Sequence, residues 1–308
     1  MSKMKAVYQN EAGGLSSFKL GDIPKPTPSK GEVLLKVHAA SLNPVDVKRG
    51  AFGIKEDYPI VTGYDVAGVI EAIGGDASEA ASLKVGDKVW GDVMENSGGK
   101  KVTGSVAEYC VVKAELLAKI PEGCSFVDMA ALPVAAMTAI VALEKAGAKK
   151  GCKIFVTGGA GGVGIHAIQI AKGLFGVEQV GTTASEAKRE FVKKYGADIV
   201  VDYKKEDAGE KLKGWADGMV DCTGEIDMEK KILKEGGGHS SIVVFDRKDV
   251  DGFMLVPTRK MLEQLNSLVK EKKLIPIIDT VYSLDDGLKA MAHIEGGRSK
   301  GKVIVKPV

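Results

Sequence analysis

Apolar and polar residues follow one another in two different styles along this chain. Up to about residue 126, short apolar segments such as residues 32–40 and 66–73 are separated by turn clusters, among them the proline-rich run at residues 23–28. Short strands bounded by Pro and Gly are typical of all-β folds. This part of the chain therefore predicts a small barrel-like β domain.

From residue 125 onward, apolar strand-like runs alternate with helical runs. The predicted strands cover residues 153–157, 177–183, 198–202, 218–222 and 241–245. The predicted helices cover residues 164–174, 186–195, 228–234 and 258–272. Because parallel strands need a long crossover connection, this alternation predicts βαβ units around a parallel sheet.

Proline and glycine mark the breaks in this second part. Pro133 lies within an apolar helical stretch at residues 129–147 and predicts a kink or a break between two helices. The adjacent glycines Gly236, Gly237 and Gly238 predict a loop between a helix and a strand. After residue 273 the chain returns to short elements, so we expect its last segment to rejoin the first domain.

Composition narrows the class of protein. The 308 residues are 44% hydrophobic and 27% charged, which is ordinary for a globular protein of about two domains. Because 43 basic residues face 41 acidic ones, we expect neither nucleic acid nor an anionic membrane as the partner. No window resembles a membrane span or a leader peptide. We expect a cytoplasmic protein, or an organellar one if a presequence is missing from this sequence.

A glycine-rich turn between a predicted strand and a predicted helix is the strongest motif. Gly159, Gly161 and Gly164 fit the G-x-G-x-x-G fingerprint of dinucleotide-binding folds, in which a pyrophosphate lies at the helix N-terminus. The alternative is a plain turn without a ligand. The residues expected at the cofactor here are Gly159, Ala160, Gly161, Gly162, Val163 and Gly164.

The end of the second predicted strand bears on the choice of cofactor. NAD-preferring sites carry an acidic residue there, but the first acid in this chain is Glu186, just past the strand. Ser185, Lys188 and Arg189 supply a hydroxyl and positive charge, which suit the 2′-phosphate of NADPH. Alternatively, Ser185 caps the following helix while Lys188 and Arg189 lie in solvent. The sequence favours NADPH.

An ordered set of motifs runs through both parts of the chain. It consists of Asn43-Pro-Val-Asp-Val-Lys48, Gly63-Tyr-Asp-Val-Ala-Gly68, Val85-Gly-Asp-Lys-Val89 and the glycine-rich turn. In this order the motifs resemble the medium-chain dehydrogenase/reductase superfamily over essentially the whole chain. The first two resemble its zinc-free quinone oxidoreductase branch, and there the plant-type alkenal/one (enone) oxidoreductases and chloroplast-envelope quinone oxidoreductase homologues.

The resemblance implies a fold class and a division into domains. The expected α/β fold has a Rossmann domain, a doubly wound parallel sheet that binds the dinucleotide, and a GroES-like β-barrel-type catalytic domain that binds substrate. We assign residues 1–126 and 275–308 to the catalytic domain and residues 127–274 to the dinucleotide-binding domain.

Two positions set this chain apart from zinc-dependent relatives, which carry a cysteine where Asn43 stands and a histidine where Tyr64 stands. Neither Asn nor Tyr is a good zinc ligand, and residues 92–108 lack the four cysteines of a structural-zinc lobe. We therefore expect no metal. Without a Lewis acid, the favoured chemistry is hydride addition to a carbon already polarised by a conjugated carbonyl.

The resemblance places Asn43, Lys48 and Tyr64 at the catalytic centre. Asn43 would lie near the nicotinamide, or form an Asx-turn before Pro44. Lys48 would reach the cofactor ribose or the substrate carbonyl, or be a solvated surface lysine. Tyr64 would donate to a carbonyl, or serve only in packing.

Further cofactor contacts are implied on the second part of the chain. Thr138 would reach the nicotinamide from its helix, and Tyr203 would line the adenosine phosphate. Backbone groups of residues 242–245, including Val244 and Phe245, would meet the nicotinamide at a strand end. Asp46 and Asp65 are expected to hold loops rather than to transfer protons.

Two functions of different classes follow from this pattern. The first is an NADPH-dependent, zinc-independent reductase of enones, enals or quinones; the second is a non-catalytic NADPH-binding or regulatory protein on the same fold. Pocket width would depend on loops around Phe52, residues 97–103 and residues 246–254. Related enzymes are often dimers, so a homodimer is one of the open alternatives.

Overall fold

The computed structural model describes residues 2–11, 13–48, 59–75, 83–93 and 104–307. The chain forms two compact units. The first comprises Met1–Val134, Pro257–Asn266 and Pro276–Val308. The second comprises Ala135–Val256 and Ser267–Ile275.

The first unit is built mainly from β-strands. They are β1 (Lys3–Gln9), β2 (Phe18–Pro24), β3 (Glu32–Leu42), β4 (Ile60–Val61), β5 (Asp65–Ile73), β6 (Lys88–Asp92), β7 (Tyr109–Lys113) and β8 (Leu117–Lys119), with β15 (Ile278–Ser283) and β16 (Lys302–Lys306) near the other end of the chain. Among the described residues, one sheet has the order β15-β16-β3-β5-β6-β8, with β7 also pairing with β3, and a smaller sheet has the order β2-β1-β4. The predicted β-rich first part is confirmed.

The second unit contains a parallel sheet. Its strands are β9 (Lys153–Val156), β10 (Gln179–Thr183), β11 (Ile199–Val201), β12 (Ala216–Asp221), β13 (Leu233–Ser241) and β14 (Asp251–Gly252). In the part of the chain that the structure describes, their order is β11-β10-β9-β12-β13-β14, and the paired strands are parallel. Numbered from β9, this is the doubly wound order 3-2-1-4-5-6 of dinucleotide-binding folds.

Helices connect these strands. They are α1 (Pro44–Lys48), α2 (Phe126–Ala130), α3 (Pro133–Lys145), α4 (Gly162–Gly173), α5 (Arg189–Lys194), α6 (Ala208–Lys211), α7 (Ile226–Ile232), α8 (Arg259–Lys270) and α9 (Gly287–Glu295). The helical structure is interrupted between α2 and α3, and α3 begins at Pro133, as predicted. A capping box starts α2, because Ser125 accepts from the Asp128 N–H while the Asp128 carboxylate accepts from the Ser125 N–H.

Each unit has its own apolar core. In the first unit, Met4, Ala6, Ile23, Val61 and Ala107 form a buried cluster beneath the small sheet. In the second unit, the buried cluster consists of Phe155, Val201, Ala208, Ala216, Met219 and Ile232. Strands that are buried on both faces, such as β9 and β12, account for the continuous apolar runs in the sequence.

Three predicted boundaries in the second unit were wrong. Gly236, Gly237 and Gly238 lie inside β13 rather than in a loop. A Cβ atom on Gly238 would stand 2.8 Å from the backbone of Ala146, so glycine serves here for close approach of two backbone segments. Residues 242–245 follow β13 instead of belonging to it.

The third wrong boundary concerns residues 186–195, predicted as one helix. A 3₁₀ turn spans Glu186–Lys188, and α5 begins only at Arg189. The cause is local: Lys188 has φ −109° and ψ 2°, outside the helical region, so the α-helical hydrogen bonds start one residue later.

Candidate functional site

The glycine-rich turn joins β9 to α4 as the sequence predicts. Gly158 has a φ of +63°, and a Cβ atom on Gly164 would lie 2.4 Å from the Gly158 carbonyl oxygen. A Cβ atom on Gly159 would lie 2.1 Å from Oγ1 of Thr182. Side chains at these positions would therefore force the turn open. The tight backbone brings the chain from strand to helix without steric obstruction.

The N-terminus of α4 is open to an anion. Gly161 is its N-cap residue, and within the described chain no side chain caps it. Gly161, Gly162 and Val163 are partly exposed. Uncapped N–H groups and the positive end of the helix dipole make such a terminus suited to a pyrophosphate. Ala160 is buried beside it.

The end of β10 anchors the turn from the other side. The Gly158 N–H donates to Oγ1 of Thr183 at 2.9 Å, and the Gly159 N–H donates to the Thr183 carbonyl at 3.1 Å. Ser185 follows as the N-cap residue of the 3₁₀ turn, but its side chain makes no capping hydrogen bond to the described residues. The alternative role of Ser185 as a side-chain cap was therefore wrong.

Arg189, which the sequence offers as a cation for a phosphate, is engaged with Glu186. Its Nε donates to both carboxylate oxygens at 2.9 and 3.0 Å, and its Nη2 donates to one of them at 2.9 Å. Its Nη1 donates to the Val200 carbonyl at 2.8 Å. The pair holds the pKa of the Glu186 carboxyl below its usual value. Ser185 and Lys188 remain the predicted contacts of a 2′-phosphate.

A cavity of about 410 Å³ lies at the carboxyl ends of the neighbouring strands. Its lining includes Thr183 at the end of β10, Tyr203 after β11 and Gly224 after β12. Tyr203 is 54% exposed. Ligands of doubly wound sheets bind at this edge, and the volume falls in the range of ligand pockets. The position of Tyr203 agrees with the predicted adenosine contact, which stays a prediction.

Asp221, at the end of β12, ties together two loops at the same edge. One carboxylate oxygen accepts from the N–H groups of Thr223 and Gly224, both at 2.7 Å, and the other accepts from the Ser241 hydroxyl at 2.6 Å. Burial raises the pKa of Asp221, but these hydrogen bonds outweigh it and leave the pKa below its usual value. The only signal for this role in the sequence is an acid at the end of a predicted strand.

Ser241 in turn holds the segment expected near the nicotinamide. Its Oγ accepts from the N–H groups of Val243 at 3.1 Å and Val244 at 2.9 Å. These two N–H groups are thus used within the protein, so a backbone contact with the cofactor would fall to other groups of the segment. Phe245 is 54% exposed. Thr138 is buried in α3, and its predicted contact with the nicotinamide stays a prediction.

In the first unit, a buried polar cluster forms where three strands end side by side. Asn43 directly follows β3, Asp65 begins β5 and Lys302 begins β16. The register explains the meeting, because Ser41 pairs with Asp65 and Leu42 pairs with Val303. Sequence reasoning missed Lys302, although a lysine at the start of an otherwise apolar strand was an available signal.

Hydrogen bonds engage all three side chains of this cluster. The Lys302 ammonium lies 3.1 Å from the Asp65 carboxylate and also donates to the Asn43 side-chain carbonyl. The Asn43 amide donates to Asp65 at 2.9 Å, and the Val134 N–H donates to its other oxygen at 2.7 Å. The Asn43 side chain bonds to Asp65 and Lys302 and does not form the suggested Asx-turn. Its predicted place near the nicotinamide stays a prediction.

Asp46 fastens α1 to the segment before β5. Its carboxylate accepts from the Asn43 N–H at 2.6 Å and the Gly63 N–H at 3.1 Å. Burial raises the pKa of Asp46 to about 7, although those two N–H groups act against the shift. Asp46 and Asp65 thus hold loops, as expected. Asp46 joins the short segments that carry Lys48 and Tyr64.

Lys48 and Tyr64 have different surroundings. Lys48 is exposed at the last residue of α1, whereas Tyr64 is 6% exposed, next to Gly63. Their roles as hydrogen-bond donors stay predictions. Phe52 and residues 97–103, named above as determinants of pocket width, lie outside the described residues.

The residues present do not fit a zinc ion. The resemblance assigns Asn43 and Tyr64 to the ligand positions, and the Asn43 side chain already bonds to Asp65 and Lys302. An ammonium group within the same cluster would oppose a second cation. Over the described parts of the chain, no group of three or more His, Cys, Asp or Glu side chains could hold a metal ion.

The second unit carries an open helix N-terminus after a glycine-rich turn, on a doubly wound sheet. Together with the β-rich first unit, this defines a two-domain dinucleotide-dependent oxidoreductase. Comparison with known proteins agrees. Residues 29–122 match the alcohol dehydrogenase GroES-like domain, and residues 195–305 match a domain described as zinc-binding dehydrogenase. The chain belongs to the medium-chain dehydrogenase/reductase family, in its quinone oxidoreductase branch.

Individual relatives align over nearly the whole chain. A 2-methylene-furan-3-one reductase of Solanum lycopersicum is 41% identical over 100% of this chain and 80% of its own length. An NADPH-dependent alkenal/one oxidoreductase, chloroplastic, of Arabidopsis thaliana is 38% identical over 99% of this chain and 80% of its own length. The quinone oxidoreductase from Coxiella burnetii has the same fold, with a TM-score of 0.88, 31% identity and full coverage of both chains.

Proposed function

We propose that this protein is an NADPH-dependent, zinc-independent reductase of the C=C bond of α,β-unsaturated carbonyls, with quinones as related acceptors. The observation that carries the proposal is the buried Asn43–Asp65–Lys302 cluster, because it engages Asn43, which the resemblance assigns to a zinc-ligand position, with an ammonium group and a carboxylate. A site without a Lewis acid favours an acceptor that its own carbonyl group already activates. The names of the two plant relatives, a 2-methylene-furan-3-one reductase and an alkenal/one oxidoreductase, agree with this chemistry.

When bound, NADPH would be held by the turn at residues 159–164 with Ser185 and Lys188, and would supply a hydride to the β-carbon of the acceptor. Negative charge then develops on the carbonyl oxygen, which must be stabilised by hydrogen-bond donors. We assign this role to Lys48 and Tyr64. Water supplies the proton to the α-carbon and so completes the saturated aldehyde or ketone, since sequence reasoning finds no histidine placed to deliver it. The substrate is a small molecule.

Oxidation of NADPH against a panel of enals, enones and quinones tests this function. We expect turnover of enals or enones, with deuterium from labelled NADPH at the β-carbon of the product. Label at the carbonyl carbon would instead identify an alcohol-forming carbonyl reductase. Tight NADPH binding without turnover of any acceptor would favour the non-catalytic, regulatory alternative.

Location and assembly belong to the same proposal. No helix within the described residues is long and apolar enough to cross a membrane. We propose a cytoplasmic enzyme, with an organelle as the alternative because two related proteins are named chloroplastic. We also propose a homodimer. Fractionation of cells tests the first statement, and light scattering on the purified protein tests the second.

A further inference from the structure

Glu186 is the first acid after β10 and lies just past the strand end at which an NAD-preferring site carries its acid. It follows β10 closely and comes about 20 residues after the last glycine of the turn, the spacing at which such folds carry a carboxylate for the ribose 2′-hydroxyl. An unshielded carboxylate at this point would attract a free ribose and repel a 2′-phosphate. The charge of Glu186 would thus act against the preference for NADPH that Ser185 and Lys188 indicate.

Arg189 resolves this conflict in the structure. Three hydrogen bonds of 2.9 to 3.0 Å run from its Nε and Nη2 to the two carboxylate oxygens of Glu186. This paired geometry fixes the carboxylate far better than a single lysine contact would. The Arg189 side chain is only 24% exposed, and its Nη1 is fastened to the Val200 carbonyl on β11. The pair is thus anchored to the sheet.

A second acid near this strand end is paired with a cation as well. Glu206, which lines the cavity at the carboxyl edge, lies 2.6 Å from the ammonium of Lys211. The negative charge of Glu206 also helps to raise the pKa of Arg189. Local cations thus compensate Glu206 as well as Glu186, which lies next to the predicted 2′-phosphate contact Ser185.

We propose that Arg189 is a specificity-determining residue that acts through Glu186. Because Arg189 holds the Glu186 carboxylate, this carboxylate cannot accept a hydrogen bond from the ribose 2′-hydroxyl of NADH. The positive charge of Arg189 also compensates the negative charge that would oppose the 2′-phosphate of NADPH. The inference rests on the proposed use of NADPH. It differs from the simpler idea that Arg189 binds the phosphate directly, because three of its five guanidinium N–H groups, one each on Nε, Nη1 and Nη2, already donate within the protein.

Binding of each cofactor, measured by calorimetry on four proteins, tests the proposal. They are the wild type, Arg189→Ala, Glu186→Ala and the double variant. Arg189→Ala should lower the preference for NADPH over NADH by roughly 10-fold, the change given by about 1.4 kcal/mol of unmasked repulsion. Glu186→Ala should keep the preference of the wild type. The double variant should regain it, because the released carboxylate is gone.

Two results would overturn the proposal. Equal weakening of both cofactors in Arg189→Ala would mean a purely structural role. A double variant as impaired as Arg189→Ala would mean that the guanidinium binds the phosphate itself. If Arg189→Ala does not fold, Arg189→Met retains the aliphatic packing and takes its place in the series. Because the experiment measures binding, its result does not depend on whether the protein shows the proposed reductase activity. Equal affinity of the wild type for NADPH and NADH would refute both the use of NADPH and this proposal.

Discussion

At the scale of single residues, the first unit depends on a charge pair that water scarcely reaches. The side chains of Lys302 and Asp65 are 3% and 0% exposed. Such a pair gains little over apolar residues of the same size, but breaking it leaves an uncompensated buried charge. Its value here is positional, since Lys302 and Asp65 together orient the Asn43 side chain.

Removing the ammonium group should therefore be costly. Lys302→Met leaves Asp65 charged and buried, and should lower the free energy of unfolding by about 3–5 kcal/mol. Urea denaturation measures the loss. Adding Asp65→Asn to this variant should restore part of the stability, because no charge then remains in the cluster. Loss of less than about 1 kcal/mol in the single variant would show that solvent reaches the site.

Lys188 should contribute to binding of the 2′-phosphate. Because a charge-assisted contact would be lost, Lys188→Ala should weaken NADPH roughly 10- to 100-fold and change NADH little. Titration of each cofactor measures both effects, and Lys194→Ala, at the end of the helix α5 that follows this turn, is the control. Equal losses for NADPH and NADH would contradict the assignment.

Lys48 is the exposed partner in the proposed stabilisation of the enolate oxygen. Lys48→Ala should lower kcat by roughly 10²-fold, the lower end for loss of one such donor, with NADPH affinity falling much less. Steady-state kinetics with the best acceptor of the panel measures this, beside Lys19→Ala as a control on another exposed lysine. An unchanged kcat would mean that Lys48 is only a solvated surface lysine, and the role of hydrogen-bond donor would then fall to Tyr64.

At the scale of elements, α7 and β13 are held together by a buried acid and a histidine. Glu229 Oε2 lies 2.7 Å from Nε2 of His239. Burial raises the pKa of Glu229 to about 9, and the charge of Asp221 adds to the shift. Burial likewise lowers the pKa of His239. At neutral pH, a protonated carboxyl group therefore faces a neutral imidazole.

This arrangement makes stability depend on pH. The folded-state pKa of Glu229 exceeds its ordinary value of 4.5, so the folded protein binds this proton more tightly than the unfolded chain does. The stabilisation is complete below about pH 4.5 and is lost as the pH rises towards 9. Glu229→Gln keeps a neutral donor at every pH.

The stability of the wild type relative to Glu229→Gln should consequently fall with rising pH. We expect a decrease of at least about 1 kcal/mol between pH 5 and 9, less than the shift would give in full. Denaturation of both proteins across this range measures it. A difference that stays constant with pH would mean that Glu229 is ionised in the folded protein.

At the scale of the whole molecule, the two units divide the chemistry. One carries the open helix N-terminus and the strand ends at which a dinucleotide binds, and the other carries the Asn43 cluster and the segments with Lys48 and Tyr64. Each has its own apolar core, so neither depends on a metal or a disulfide to bury enough surface.

Metal independence is therefore a prediction about the entire enzyme. Activity should survive prolonged dialysis against a strong chelator, because Asn43 and Tyr64 stand where zinc ligands would be. Metal analysis of the purified protein should find no stoichiometric zinc. Zinc that is bound and lost in parallel with activity would refute this reading, and a zinc-dependent alcohol dehydrogenase treated in the same way is the control.

Local pattern alone determined the order of strands and helices, the break at Pro133 and the turn through Gly159 and Gly164. Each follows from periodicity or from a backbone restriction that neighbouring residues impose. The motifs at Asn43 and Tyr64 were likewise readable in advance. These features could be predicted because they depend on interactions over a few residues.

Only the tertiary structure decided which polar groups meet. Lys302 reaches Asn43 from the far end of the chain because β16 pairs with β3, and Arg189 is fixed by a carbonyl of the neighbouring strand. Gly238 lies in a strand because another backbone segment approaches it closely. Strand register and backbone approach are properties of distant segments brought together, and no local window of sequence contains them.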